Sequence, residues 1–307
     1  MKRIVKVLSV FIAGLFFVFS ASAVTKQIVI LNTGDIHECS NSKNPKLFQL
    51  KIKEFVDKMR KTNSGRVILV DAGDVLTQVD GKRGHFPRSD WAGRHKDVYD
   101  WARTMRYDAM VLGNHDFVGD GGVAFLQKYP DLPFVCANLK YPGVIPSPLE
   151  PPRQPIPPYR IITKAGVKIA IIGIADQDHI DYHFKKDSAG KLPDKEKLTA
   201  LPVDGPDVKS MIKCVERKFP DFIIILSHNW DHVDTINIAN LLITRPFIIV
   251  GGHSHHTIPA KNKEQLLKKP YLIKSGAFGD CIGRTIVTYD TNKKTITKVS
   301  AKNIPMK

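Results

Sequence analysis

Short apolar runs rich in β-branched residues alternate with stretches of helical periodicity through most of this 307-residue sequence. Predicted strands cover residues 27–32, 66–71, 109–112, 134–137, 159–164, 167–173, 222–226, 247–250, 271–274, 284–290 and 295–299. Helical spacing covers residues 47–61, 90–104, 207–218 and 232–242. This order of elements is typical of a layered α/β fold.

Polar residues of a few chemical types follow five of these predicted strands. They are Asp35 and His37, Asp74, Asn114 and His115, His228, and His253 and His255. Because the carboxyl ends of strands in layered α/β folds share one edge, where ligands bind, we expect these residues to converge. Carboxylates, a carboxamide and imidazoles without a thiolate suit Mn²⁺, Fe, Co²⁺ or Zn²⁺ better than Cu(I) or Ca²⁺. The sequence therefore predicts a metal site at this edge.

The same motifs, taken in order, resemble the motif series of calcineurin-like metallophosphoesterases. They are Asp35-Ile36-His37, Gly73-Asp74, Gly113-Asn114-His115-Asp116, Ser227-His228 and Gly252-His253-Ser254-His255. Residues 112–117 are most similar to the 5′-nucleotidase branch, and the resemblance extends from about residue 26 to residue 290. It implies a four-layer α/β/β/α sandwich formed by one metallophosphoesterase domain over residues 24–307.

The resemblance also implies two divalent metal ions, with Mn, Zn, Fe and Co as the candidates. Asp35, His37, Asp74 and His255 would hold the first ion. Asp74, Asn114, His228 and His253 would hold the second, with Asp74 bridging the two. A hydroxide generated at the metals would then attack phosphorus in line.

His115 would assist the leaving alcohol in that family mechanism. Nucleotidases of the family usually carry an Asp three positions after this His, where this sequence has Val118. Asp116 is the predicted catalytic companion of His115, and Asp120 is the alternative.

The predicted function is hydrolysis of phosphomonoesters, with nucleotides as the leading substrate class. Phosphodiesters such as 2′,3′-cyclic nucleotides, and sulfur compounds, are the alternatives. Full nucleotidases of the family add a C-terminal domain that grips the nucleoside, and we expect this chain to lack it. Arg83, Arg88 and Arg94 follow the second metal motif and are candidate phosphate-binding residues, although an exposed basic loop fits them equally well.

The N-terminal 23 residues have the pattern of a secretory signal peptide. Lys2, Arg3 and Lys6 precede an apolar core at residues 8–19, and Ala21-Ser22-Ala23 is a small-residue cleavage motif. The apolar core is shorter than the roughly 20 residues that a membrane span needs, which disfavours an anchor. We therefore expect export to the periplasm or the cell exterior, with no stable membrane insertion after cleavage. Export permits disulfides, and we expect one or none among Cys39, Cys136, Cys214 and Cys281.

The formal net charge of +16, from 46 Lys and Arg against 30 Asp and Glu, raises the question of a nucleic-acid partner. No helix-turn-helix, zinc finger or aromatic-basic RNA motif is present, and the lysines are spread along the chain. The charge therefore favours small anionic phosphoester substrates over a dedicated nucleic-acid role. A second polar cluster, Asp176, Asp178, His179, Asp181 and His183, is irregularly spaced and favours a surface loop over a third metal site. The oligomeric state is left open.

Overall fold

A computed structural model describes residues 24–37, 44–75, 91–117, 130–140, 156–176, 199–241 and 243–306. The strands are β1 Thr25–Thr33, β2 Val67–Asp71, β3 Ala109–Met110, β4 Leu139–Lys140, β5 Tyr159–Lys164, β6 Val167–Ile174, β7 Thr199–Ala200, β8 Phe222–Ser227, β9 Phe247–Gly251, β10 Thr257–Ile258, β11 Gln265–Leu266, β12 Leu272–Ser275, β13 Cys281–Asp290 and β14 Thr295–Pro305. The helices are α1 Pro45–Thr62, α2 Trp91–Met105 and α3 Pro206–Glu216, with a 3₁₀ turn at Asn114–Phe117 and a π-helical turn at Val233–Ile238.

Two six-stranded sheets organise these elements. The first has the order β11-β14-β13-β1-β2-β3, and the second has the order β10-β12-β9-β8-β6-β5. Parallel pairing joins β1, β2 and β3 in the first sheet, and β6, β8, β9 and β12 in the second. The carboxyl ends of these parallel strands carry the loops of interest, because parallel strands end at one edge.

Strand β1 shows why the sheets stack between helices. Ile28 and Ile30 are fully buried in the apolar core between the two sheets, whereas Val29 and Leu31 enter the core that also contains Ile52 of α1. Successive side chains of a strand point to opposite faces, so a strand that is apolar at every position must be covered on both sides.

Strand β8 repeats this pattern in the second sheet. Phe222 and Ile224 join the core between the sheets, while Ile223 packs in a third core with Val208 and Ile212 of α3. Three cores separate four layers, which confirms the predicted α/β/β/α sandwich.

The predicted strand at residues 134–137 is wrong. Only Phe134 forms a bridge, with Met110, because the hydrogen bonds of the segment go to different partners. Cys136 N–H donates to the Pro157 carbonyl, and Ala137 N–H donates to the Gly173 carbonyl. A segment that divides its bonds in this way joins no continuous ladder.

The predicted helix at residues 232–242 is also different in form. In place of a regular α-helix, the segment forms the π-helical turn at Val233–Ile238, in which Ala239 N–H donates to the Asp234 carbonyl five residues earlier. The buried Asp234 carboxylate turns inward, where the hydroxyl of Ser227 donates to it. A widened turn of this kind is frequent next to functional sites.

Candidate metal centre

All seven predicted metal ligands lie together at the carboxyl edge of the two sheets. Some of these residues follow strands β1, β2 and β3 of the first sheet, and the others follow strands β8 and β9 of the second sheet. The members are Asp35, His37, Asp74, Asn114, His228, His253 and His255. Five of them are at most 3% exposed, so the base of the centre is buried.

One group of ligand atoms gathers around His37. Its Nε2 atom lies 3.2 Å from Nε2 of His255 and 3.8 Å from Oδ2 of Asp74. The Oδ1 atom of Asp35 lies 3.7 Å from Nε2 of His255. Asp35, His37 and His255 thus offer donors that all lie within 4.8 Å of one another.

A second group gathers around His228. Its Nε2 atom lies 3.1 Å from Oδ2 of Asp74 and 3.1 Å from Oδ1 of Asn114. Nδ1 of His253 lies 3.3 Å from the same Nε2 atom and 3.1 Å from the Asn114 oxygen. Asp35, Asp74 and His228 also meet the 4.8 Å criterion as a set. The two groups are therefore contiguous, and Asp74 faces both.

The electrostatics of the centre favour a cation. Burial raises the pKa of Asp35 to about 8. Burial alone would also raise the pKa of Asp74, but His228, His115 and His37 together outweigh it and hold that pKa well below its usual range. Likewise, burial would lower the pKa of His228, but Asp74, Asp35 and the Ala72 carbonyl together outweigh it and raise this pKa to about 10. A site that stabilises positive charge beside carboxylate and imidazole donors fits a divalent metal ion.

The backbone around the ligands is strained in a way that aims their side chains. Five ligands have a positive φ, namely Asp35 at 51°, His37 at 43°, Asp74 at 55°, His253 at 70° and His255 at 59°. For a non-glycine residue this left-handed conformation costs about 1–2 kcal/mol. Such strain persists only where the surroundings enforce it, and it concentrates at functional sites.

Two glycines beside the ligands make the close packing possible. A Cβ atom on Gly113 would lie 2.1 Å from Oδ1 of Asp74. Gly73 has a φ of +92°, and a Cβ atom there would lie 2.6 Å from Nδ1 of His228. Any side chain at either position would push a ligand out of place.

Outer contacts fix the orientation of two imidazoles. His228 Nδ1 lies 2.8 Å from the Ala72 carbonyl, so Nδ1–H donates there and Nε2 faces the centre. His253 Nε2 lies 3.6 Å from Oδ2 of Asp176, and its backbone N–H donates to Oδ1 of Asp35. Asp176 is thus drawn to the metal centre, whereas Asp178, His179, Asp181 and His183 lie outside the described residues.

The two predicted catalytic residues differ in their surroundings. The His115 ring centroid lies 5.1 Å from that of His37, and its backbone N–H donates to Oδ1 of Asp74. Asp116 is buried, and its Oδ2 accepts hydrogen bonds from the backbone N–H groups of Asp74 and Gly113. His115 therefore borders the ligands, and Asp116 ties together two of the loops that carry them.

The candidate phosphate-binding residues fall largely outside the described part of the chain. Arg83 and Arg88 lie there, and so does Cys39, whereas Arg94 is described only as a backbone position in α2. The segment that contains the alternative partner Asp120 is not described either.

A buried lysine beneath the centre is missing from the sequence-based prediction. Lys274 of β12 is 1% exposed, and its Nζ atom lies 2.7 Å from Oδ1 of Asp231 and 2.9 Å from Oδ2 of Asp234. The same ammonium donates to the carbonyls of Asn229 and Gly252. It therefore joins the loop after β8 to the loop after β9, which carry three of the histidines.

Lys274→Met tests this connection, because it keeps the aliphatic stem and removes the charge. Burial already raises the pKa of Asp234 to about 6, and in the variant this carboxylate would lack its buried cation. We expect the free energy of unfolding in urea to fall by about 3–5 kcal/mol, with weaker Mn²⁺ binding by titration calorimetry. Lys298→Met, at an exposed position of β14, is the control and should change stability by no more than about 0.5 kcal/mol. Equal losses in the two variants would contradict this role.

Comparisons with known proteins agree with the geometry. The sequence profile described as calcineurin-like phosphoesterase matches residues 28–257. A 5′-nucleotidase of Vibrio cholerae is 26% identical over 92% of this chain and 52% of its own length. The chain thus spans about half the length of the curated relatives it matches.

Solved structures share the fold. Calcineurin-like phosphoesterase YfkN of Bacillus subtilis superposes with a TM-score of 0.67 at 18% identity, over 92% of this chain and 91% of that one. The NAD nucleotidase of Haemophilus influenzae gives 0.64 at 20% identity, over 92% of this chain and 50% of the other. With its ligand motifs in order and gathered at one edge, the chain belongs to the calcineurin-like phosphoesterase family.

Proposed function

We propose that this chain is an exported phosphomonoesterase that acts at two divalent metal ions, with nucleotides as its leading substrates. The observation that carries this proposal is the pair of contiguous ligand groups, one around His37 and one around His228, that face the same Asp74. The relatives named 5′-nucleotidase support the substrate class.

We assign one ion to Asp35, His37, Asp74 and His255, and the other to Asp74, Asn114, His228 and His253. Two ions held in this way would clamp the phosphoryl oxygens and lower the pKa of a water molecule at the site. The protein supplies the alignment, since the ligand loops are strained, glycine-packed and joined by Lys274. Alignment of this kind is what makes an in-line displacement fast.

His115 supplies the proton that the leaving alcohol needs. Its backbone N–H donates to Asp74, and its ring lies beside that of His37, so we place it next to the ligands and not among them. Asp116 acts as a positioning residue, because its carboxylate holds the backbone of Asp74 and Gly113. Arg83, Arg88 and Arg94 attract and hold the anionic end of the substrate.

Export follows from the signal-peptide pattern of residues 1–23. Among the described residues, no helix is both long and apolar enough to cross a bilayer. The proposed partner is a small anionic phosphoester, and nucleic acid is not proposed as one.

Asp74→Asn tests the shared ligand. The variant keeps the shape of the side chain but removes negative charge from between the two ligand groups. We expect loss of bound metal by elemental analysis and loss of nearly all phosphatase activity, with an unchanged circular dichroism spectrum. Asp204→Asn, at an exposed position before α3, is the matched control and should keep both metal and activity. Near-normal turnover of the Asp74 variant at saturating Mn²⁺ would contradict the two-ion assignment.

His115→Ala separates chemistry from metal binding. We expect both metals to remain and kcat to fall by about 10²–10⁴-fold, the usual contribution of a general acid. The loss should shrink for esters with good leaving groups, such as 4-nitrophenyl phosphate, because these alcohols leave without protonation. A loss of the same size for every leaving group, or a loss of metal, would give His115 another role.

The three arginines are tested together. Replacing Arg83, Arg88 and Arg94 with Ala should raise KM for phosphomonoesters more than it lowers kcat, because their charges hold the substrate rather than the reacting bonds. Replacing the exposed Lys209, Lys213 and Lys298 removes the same net charge elsewhere and should leave KM nearly unchanged. Equal KM values in the two triple variants would place the arginines away from the substrate.

A further inference from the structure

Trp230 lies at the edge of the metal centre, two residues after the ligand His228. Its indole packs edge-to-face on the ring of the ligand His253, with ring centroids 4.4 Å apart and an interplanar angle of 85°. The side chain of His253 is only 7% exposed, whereas Trp230 is 44% exposed. The indole therefore covers a ligand on one side and presents surface to solvent on the other.

The loop that bears Trp230 is held firmly on both sides. Lys274 Nζ donates to the carbonyl of Asn229, and the backbone N–H of Asp234 donates to the carbonyl of Trp230 itself. The next residue, Asp231, accepts hydrogen bonds from Lys274 and from the hydroxyl of Ser254. A ring on a fixed loop can receive a ligand without first being ordered, which lowers the entropic cost of binding.

We propose that Trp230 is a stacking platform for the planar ring in the alcohol half of the substrate, a nucleobase above all. This inference rests on the proposed function, because it needs the phosphate to be held at the metal centre. An alcohol half that extends along the rim of the centre would meet Trp230, an exposed aromatic residue next to His253. Every nucleobase has a π face, so stacking on an indole strengthens binding with little preference among bases.

The platform predicts a particular kind of selectivity. The enzyme should distinguish phosphomonoesters with a planar ring from those without one, and it should distinguish poorly among nucleotides. Ribose 5-phosphate is the informative comparison for AMP, because the two share the reacting phosphate and the leaving hydroxymethyl group and differ only in the base. Any contribution of Trp230 to the chemistry itself would affect both substrates equally.

The test compares Trp230→Ala and Trp230→Phe with the unchanged chain, all loaded with Mn²⁺. For the Ala variant we expect kcat/KM to fall on the order of tenfold for AMP, GMP and CMP, and to stay within about twofold for ribose 5-phosphate. The Phe variant should retain most of the selectivity, because it keeps an aromatic face. Phe219→Ala removes an aromatic residue that is 72% exposed just before β8, at the opposite edge of the second sheet, and should change neither substrate.

A binding measurement separates this inference from the proposed function. Adenosine should bind the unchanged chain, as measured by tryptophan fluorescence quenching and calorimetry, and the Ala variant should lose that binding. Equal losses of kcat/KM for AMP and ribose 5-phosphate would overturn the platform and make Trp230 a support for His253. Unchanged AMP kinetics in the Ala variant would overturn it too. If the unchanged chain hydrolyses neither ester, the proposed function fails, and adenosine binding alone then decides for or against the platform.

Discussion

Face-to-face packing of the two sheets is the constraint on which the metal centre depends. Asp35, His37, Asp74 and Asn114 follow strands of the first sheet, and His228, His253 and His255 follow strands of the second, so neither sheet holds the complete set of candidate ligands. The sheets touch closely at this edge. A Cβ atom on Gly252 would lie 2.6 Å from the Ala72 carbonyl, which also accepts the hydrogen bond of His228. Because close-packed interiors transmit small shifts, the core between the sheets sets the spacing of the metal ligands.

Much of this arrangement could be predicted from the sequence, because it depends on local signals. Runs such as Phe222–Ser227 identify buried strands, and a polar residue directly after each run must lie at the edge of its sheet. The seven candidate ligands were selected in that way, and the structure brings them together. Their convergence needs only the rule that parallel strands end together, which does not depend on the details of side-chain packing.

Residues whose role depends on distant partners could not be found from the sequence. Lys274 is one of 46 basic residues, and its burial follows from contacts with Asp231, Asp234 and two loop carbonyls that lie 22 to 45 positions away. The same part of the chain forms a π-helical turn rather than the regular helix that its periodicity predicts, and Asp234 of that turn is one of the partners of Lys274. Trp230, which lies between the predicted strand at 222–226 and the predicted helix at 232–242, belongs to no pattern that the sequence analysis used. A pattern of apolar spacing does not show which of its members faces an active site.

The centre combines two kinds of interaction that differ in what they can discriminate. Under the proposed function, the candidate metal ligands and the basic side chains would act on the phosphate, which all phosphomonoesters share, so they would supply affinity and rate but no discrimination among substrates. Discrimination among substrates must come from contacts with the part of the substrate that does not react, because binding energy from that part improves selectivity. Trp230 places an aromatic surface directly against His253. In our proposal, the same loop would therefore contact the non-reacting half of the substrate and help to align the metal centre. Lys274 anchors the same loop, and the buried ion pair therefore stabilises the segment that carries both the candidate ligand His228 and the proposed platform Trp230.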